Sequence, residues 1–174
     1  MKKWFAISLL SLLVISSCKE VETPNSPDPK DGLESWLPGK WNLTEVSQEN
    51  GIISVNGFQT STFTSVGKNI IGSIEFTKNP DEYSSSTSYD NVMTVVILNQ
   101  TTEQTIPING TDSGSWSVND QDNIELVSST QTTEYEVLES SSTRIKVKFP
   151  WLLTQTNTGI TTVTSADVIA VYQK

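Results

Sequence analysis

Polar and apolar residues alternate repeatedly along the chain after Trp36, and a period of two is typical of β-strands with one buried face. The clearest example is a pair of segments at 134–137 and 144–149, which a turn at 140–142 would join into a hairpin. Opposite-charge pairs on the outer face would help to fix its register. The predicted pairs are Tyr135 with Val147, Val137 with Ile145, Glu134 with Lys148, and Glu136 with Lys146.

A second hairpin is predicted around the polar turn at 119–123. In this hairpin Trp116 and Val118 face Leu126 and Ile124, so the apolar sides of the two strands agree. Further strands are predicted at 40–46, 70–77, 92–99, 104–109 and 167–173, with a weaker candidate at 52–58.

The polar stretches at 79–91 and 154–165 are predicted to form long loops or extensions of the neighbouring hairpins. No convincing apolar stripe at helical spacing occurs in the mature chain. Eight or more antiparallel strands in one domain, covering residues 36–174, predict an all-β fold that is either a closed barrel or a two-sheet sandwich.

The N-terminal segment has a different pattern. Lys2 and Lys3 precede an apolar run at 4–15, which is shorter than the roughly 20 residues that a membrane-spanning helix needs. Residues 1–17 are therefore predicted to be a signal peptide. The sequence Val-Ile-Ser-Ser-Cys at 14–18 resembles a bacterial lipobox. This resemblance implies cleavage before Cys18 and acylation of that residue. The protein would then be bound to the membrane, its partner, through an N-terminal lipid anchor. An ordinary secretory signal with an incidental cysteine is the alternative.

Residues 18–35 contain three prolines, several charges and few apolar side chains, which predicts a flexible tether behind the lipid anchor. Its start, Lys-Glu-Val-Glu at 19–22, resembles the export signal of surface lipoproteins in the Bacteroidetes. The resemblance implies an outer-membrane lipoprotein of the cell envelope that is exposed at the surface. A solvated acidic linker is the alternative.

The first strand opens with Gly39-Lys40-Trp41, and Gly-x-Trp at this position resembles the lipocalin signature. The resemblance implies an up-and-down barrel of about eight strands, in which Gly39 allows a tight turn and Trp41 closes the base. The segment Gly-Ser-Trp-Ser-Val at 114–118 is similar to lipocalin-like domains of Bacteroidetes lipoproteins. Lipocalins also carry an arginine near the last strand that stacks on this tryptophan, whereas Arg144 lies one strand earlier here.

The inventory of reactive side chains argues against catalysis. The chain has no histidine, and lipidation would consume Cys18, its only cysteine, so neither imidazole nor thiol chemistry is expected. No cofactor or metal is expected either, since the acidic turn at 119–123 is better explained as a turn than as a calcium site. The net charge of −9 becomes −11 without the signal peptide, which disfavours nucleic acid as a partner.

The best candidate for a binding surface is Trp151-Leu152-Leu153, which follows Pro150 and is predicted to break the alternation at a barrel mouth. Trp41 and Trp116 are instead predicted to lie in the core. Two functions remain open from the sequence. One is a non-catalytic barrel that binds a small apolar ligand in a cavity. The other is a surface interaction or structural module, whose barrel or sandwich is packed solid and which contacts a surface protein partner.

Overall fold

The structure, a computed structural model, describes residues 32–174, so the predicted signal peptide, Cys18 and most of the predicted tether lie outside the described residues. Eight antiparallel strands form a closed barrel, because each strand pairs with the next and the last pairs with the first. The predicted all-β up-and-down barrel is confirmed. The elements are α1 (Leu33–Trp36), β1 (Gly39–Val55), β2 (Phe58–Phe76), β3 (Glu82–Ile97), β4 (Gln100–Val118), β5 (Ile124–Ser128), β6 (Thr132–Ser140), β7 (Arg144–Asn157) and β8 (Ile160–Gln173).

Three two-residue turns join β1 to β2, β3 to β4 and β7 to β8 at one end of the barrel, which we call the rim. The turns lie at 56–57, 98–99 and 158–159, and all six residues have φ between 48° and 84°. Positive φ at both central positions is the property of type I′ turns, whose twist matches that of long paired strands. The polar stretch at 154–165 is therefore an extension of a hairpin.

The predicted strand at 52–58 is wrong, because the chain reverses direction within it. Asn56 and Gly57 form the β1–β2 turn, with φ of 50° and 84°. An Asn-Gly pair between alternating segments is the strongest short-range hairpin signal, so the sequence did contain the information. The first predicted strand also extends further than expected, since β1 continues from Gly39 to Val55.

The predicted hairpin at 116–126 is confirmed, because Trp116 pairs with Leu126 and Val118 pairs with Ile124. The register predicted for the β6–β7 hairpin is wrong by two residues. Val137 pairs with Val147, and the charged pairs are Glu136 with Lys148 and Glu139 with Lys146. A register shift between Val137 and Glu139 accommodates an extra residue, which the alternation of polar and apolar residues alone does not reveal.

Strands β5 and β6 have only five and nine residues, and this leaves a gap in the wall. The pairing of β4 with β5 covers only Gly114–Val118, and the pairing of β7 with β6 ends at Lys148. Residues 100–113 and 149–157 thus each have a free edge, and we call the gap between them the lateral notch. Pro107 and Pro150 lie on these two edges, where a strand tolerates proline.

The barrel is closed at the end opposite the rim by a continuous apolar core, which we call the base. Trp41 is fully buried there and donates a hydrogen bond from Nε1 to the Leu37 carbonyl at 2.7 Å. Leu33 of α1 joins this core although it belongs to the predicted tether range. As a helix of a single turn, α1 cannot traverse a bilayer, and residues 32–174 hold no membrane-spanning helix. The buried members of the core are Leu33, Leu37, Trp41, Leu43, Ile74, Phe76, Tyr83, Trp116, Ile124, Leu126, Ile145, Val147 and Ala170.

A lysine covers Trp41 from outside. The Nζ atom of Lys174 lies 4.5 Å from the centroid of the Trp41 ring and donates hydrogen bonds to the carbonyls of Trp36 and Pro38, at 2.6 Å and 3.2 Å. Partial burial lowers the pKa of this ammonium group. Lys174 thus ties the end of β8 to the start of β1, whereas Arg144 pairs with Glu139.

Replacing Lys174 by methionine should destabilise the fold by about 1–2 kcal/mol, because the cation–π contact and two charge-assisted hydrogen bonds are lost. Urea unfolding would measure the change in free energy. Lys40→Met is the matched control, since the side chain of Lys40 is also exposed. An equal loss in both variants would contradict the assignment.

Candidate functional site

The barrel interior is packed at the base and hollow above it. The residual space among the base side chains is about 10 Å³, whereas the cavity above them measures about 530 Å³. Strand pairing places the cavity-lining side chains on the inner face of the sheet. They are Leu43, Val46, Gln48, Ile53, Thr87, Tyr89, Asn91, Met93, Gln104, Ile106, Ile108, Tyr135, Phe149, Trp151, Leu153, Gln155, Thr164, Val168, Ala170 and Tyr172.

The cavity opens through the lateral notch. Ile106 on β4 and Leu153 on β7 point inward, yet they remain 39% and 40% exposed because no strand lies between them at this height. A second apolar cluster lies nearer the rim. Its buried members are Phe63, Met93, Val95 and Ala166, with Ile53 and Trp151 packed against them.

The three residues predicted as a binding surface divide between two faces of β7. Trp151 and Leu153 line the cavity, whereas Leu152 points outward and is 68% exposed. The side chains continue to alternate between the two faces after Pro150, because the β7–β8 register runs without a shift from Arg144 to Asn157, and this places the apolar Leu152 on the outer face. Trp151 and Leu153 therefore belong to the wall beside the notch.

Gly39 and Trp41 lie at the base and take no part in lining the cavity. Gly39 has a φ of 122°, a backbone conformation that favours glycine, at the point where the chain enters β1. Trp116, also predicted as core, is 4% exposed, and its Nε1 donates to the Thr77 carbonyl at 2.8 Å. These residues close the base and support the cavity from below.

Aromatic side chains form the floor of the cavity. Tyr135 and Phe149 stack with their ring centroids 4.4 Å apart, and Tyr172 and Tyr89 complete a group of three phenols. Burial raises the pKa of Tyr89, raises that of Tyr135 to about 12, and places that of Tyr172 well above its ordinary value. All three phenols are therefore neutral at physiological pH and able to donate a hydrogen bond.

One wall of the cavity is polar. Gln48, Ser65 and Asn91 are 6%, 4% and 5% exposed, and Gln48 Oε1 accepts hydrogen bonds from Ser65 Oγ at 2.8 Å and Asn91 Nδ2 at 3.1 Å. Sequence reasoning missed this cluster, because Gln48 follows the end of a predicted strand and Asn91 ends a predicted loop. A register shift between Leu43 and Glu45 changes the phase of β1, so alternation counted from Trp41 would have placed Gln48 on the outer face.

Charged groups are absent from the part of the cavity wall that the structure describes. Within residues 32–174 no group of three carboxylates or other metal-binding side chains comes together. The acidic turn at 119–123 is held instead by Asn119 Oδ1, which accepts hydrogen bonds from the N–H groups of Gln121 and Asn123, each at 3.0 Å. Asp122 has a φ of 58°, consistent with a turn position.

A second depression of about 450 Å³ lies near the bulged part of β1. Its lining includes Thr62, Thr64 and Thr94, which alternate with inward-facing residues and so belong to the outer surface. It lacks the enclosure that the barrel provides, so the interior cavity is the candidate site.

Comparison with known proteins provides no further guide to this site. No family model, curated protein or solved structure matches the chain.

The partly buried Tyr135 should make the fold sensitive to high pH. Its folded-state pKa of about 12 exceeds its ordinary value of 10.0, so the stability that it contributes is present below pH 10 and is lost as the pH rises towards 12. Tyr135→Phe should reduce the loss between pH 8 and pH 11 by about 1 kcal/mol, because only about half of the difference between the two pKa values is titrated by pH 11. Urea unfolding at pH 8 and pH 11 would measure the difference, and an unchanged pH dependence in the variant would contradict the assignment.

Proposed function

We propose that this protein is a lipid-anchored, non-catalytic component of the cell envelope that binds a small apolar molecule inside its barrel. The observation that carries the proposal is the cavity of about 530 Å³ above a solid base. This volume lies within the range of about 300–1,000 Å³ that is typical of small-molecule sites. A barrel filled by its own side chains along its whole length would have no cavity for a ligand.

The lining supports an apolar ligand. Val46, Ile108, Phe149 and Val168 represent the aliphatic and aromatic side chains that form most of the wall. Burial of a ligand's apolar surface against them would contribute roughly 25 cal/mol per Å² before the costs of association. The non-catalytic part of the proposal is supported by the kind of polar groups present, since neutral phenols, hydroxyls and carboxamides are weak acids and bases at neutral pH.

The anchor part of the proposal depends on the lipobox-like sequence that ends at Cys18. The described chain enters the barrel at the base, where Leu33 is buried, so a tether preceding it would leave from the end opposite the rim. A protein held in this way would present its rim and notch away from the attachment point of the tether.

A second candidate function, an interaction module, is favoured by a different observation. Apolar side chains stand at all three rim turns, with Phe58, Leu98 and Ile160 exposed by 77%, 93% and 50%. The hairpin segments at 50–67, 91–111 and 149–166 contain a single charged residue, Glu103. Such a surface suits contact with a protein partner. Filling the cavity would abolish ligand binding but would leave contact with a protein partner unaffected, so the two functions can be distinguished.

Filling the cavity should abolish binding of a neutral apolar probe. Thr87 lines the cavity, whereas the adjacent Ser88 is exposed on the outer face. We expect Thr87→Trp to weaken binding of N-phenyl-1-naphthylamine about tenfold or more, because the indole occupies the space of the probe. Fluorescence titration would measure affinity, and Ser88→Trp is the matched control. Equal affinity in both variants would contradict a ligand site in the barrel.

Replacing Cys18 by alanine should release the protein from the membrane. Without the thiol no diacylglycerol can be attached, and the remaining interactions of an acidic protein with anionic headgroups are unfavourable. Detergent-phase partitioning and fractionation of cells that express the full chain would measure the effect, with Ser17→Ala as the control. Unchanged partitioning of the Cys18 variant would overturn the lipid anchor.

A further inference from the structure

The polar wall of the cavity has hydrogen-bonding capacity that the protein itself does not use. The carboxamide oxygen of Gln48 accepts two hydrogen bonds, from Ser65 and Asn91. Gln48 Nε2 and Asn91 Oδ1 make no hydrogen bond to other described residues. A carboxamide provides two donor hydrogens and an oxygen with two lone pairs, so one donor group and one acceptor group are left over.

These two leftover atoms lie at the cavity surface. Gln48 and Asn91 both line the cavity and are both more than nine-tenths buried. Among the residues that the structure describes, every completely buried side-chain nitrogen or oxygen has a hydrogen-bond partner. The leftover atoms therefore retain contact with open space, and the cavity is the open space that both side chains border.

The surroundings of this amide pair are uncharged. No Asp, Glu, Lys or Arg lines the described cavity, and the tyrosine phenols across it are neutral. An anionic ligand would lose its hydration on entering and would meet the lone pairs of Asn91 Oδ1 without a compensating cation. A neutral polar group that both donates and accepts would instead satisfy both leftover atoms at once.

We propose that Gln48 and Asn91 recognise the polar group of an uncharged amphiphile. In the ligand this group is a carboxamide, whose oxygen accepts a hydrogen bond from Gln48 Nε2 and whose N–H donates one to Asn91 Oδ1. The apolar part of the same ligand extends along the aliphatic and aromatic wall towards the notch. The inference rests on the proposed function, because it assigns the ligand class of the same cavity. Such a site would bind a neutral amide more tightly than the fatty-acid anion of equal chain length.

The test is competition against N-phenyl-1-naphthylamine at neutral pH by two ligands that differ only in their polar group, decanamide and decanoate. We expect decanamide to displace the probe at a concentration about tenfold or more below that of decanoate, because a site built for hydrogen bonding rejects a ligand that leaves its groups unpaired. Repeating the competition at high salt controls for repulsion of decanoate by the acidic protein as a whole.

The double variant Gln48→Leu, Asn91→Leu should lose the preference for decanamide, measured as the ratio of the two concentrations at which decanamide and decanoate displace the probe from that variant. Should this variant lack a cooperative thermal transition, Gln48→Met provides the same comparison with one polar group removed. Equal displacement by both competitors in the original protein, or a preference that persists in the folded variant, would overturn this inference and leave the proposed cavity function intact. Failure of the original protein to bind the probe or either competitor would overturn both.

Discussion

The structure depends on the packing around Trp41 at the base. The barrel closes through β5 and β6, whose pairings with their neighbours are confined to short segments near this end. Burial of the indole, its hydrogen bond to the Leu37 carbonyl and the overlying Lys174 ammonium hold the first and last strands together there. Because closure is secured at the base, the upper half of the barrel can remain hollow and incomplete in its wall.

This division between a packed base and a hollow upper half gives the cavity its chemistry. Apolar side chains fill most of its wall, and the polar groups that remain are neutral and few. The buried Gln48–Asn91 pair stands out because an interior carboxamide with unused capacity carries a desolvation cost unless a ligand meets it. The lateral notch provides access at mid-height, so a ligand could exchange without displacing the apolar cluster around Phe63.

The alternation of polar and apolar residues predicted the fold class and the faces of most strands, because inward positions such as Trp116 and Leu126 must be apolar at a packed base. It failed where an extra residue shifts the phase, as between Val137 and Glu139. The cavity wall was harder to predict, since a partly hollow interior accepts Gln48 and Thr87 as readily as leucine. The lysine on Trp41 could not be predicted, because only three-dimensional proximity brings Lys174 to the first strand.

Pro107 and Pro150 give the free edges of the notch a further property. An unpaired strand edge is a template on which another molecule's strand can add, and long exposed edges are the usual starting points of intermolecular sheet growth. A proline removes one backbone donor from each edge and interrupts any continuous ladder that could form there. The two prolines thus protect this protein against edge-to-edge aggregation at the place where its barrel wall is open.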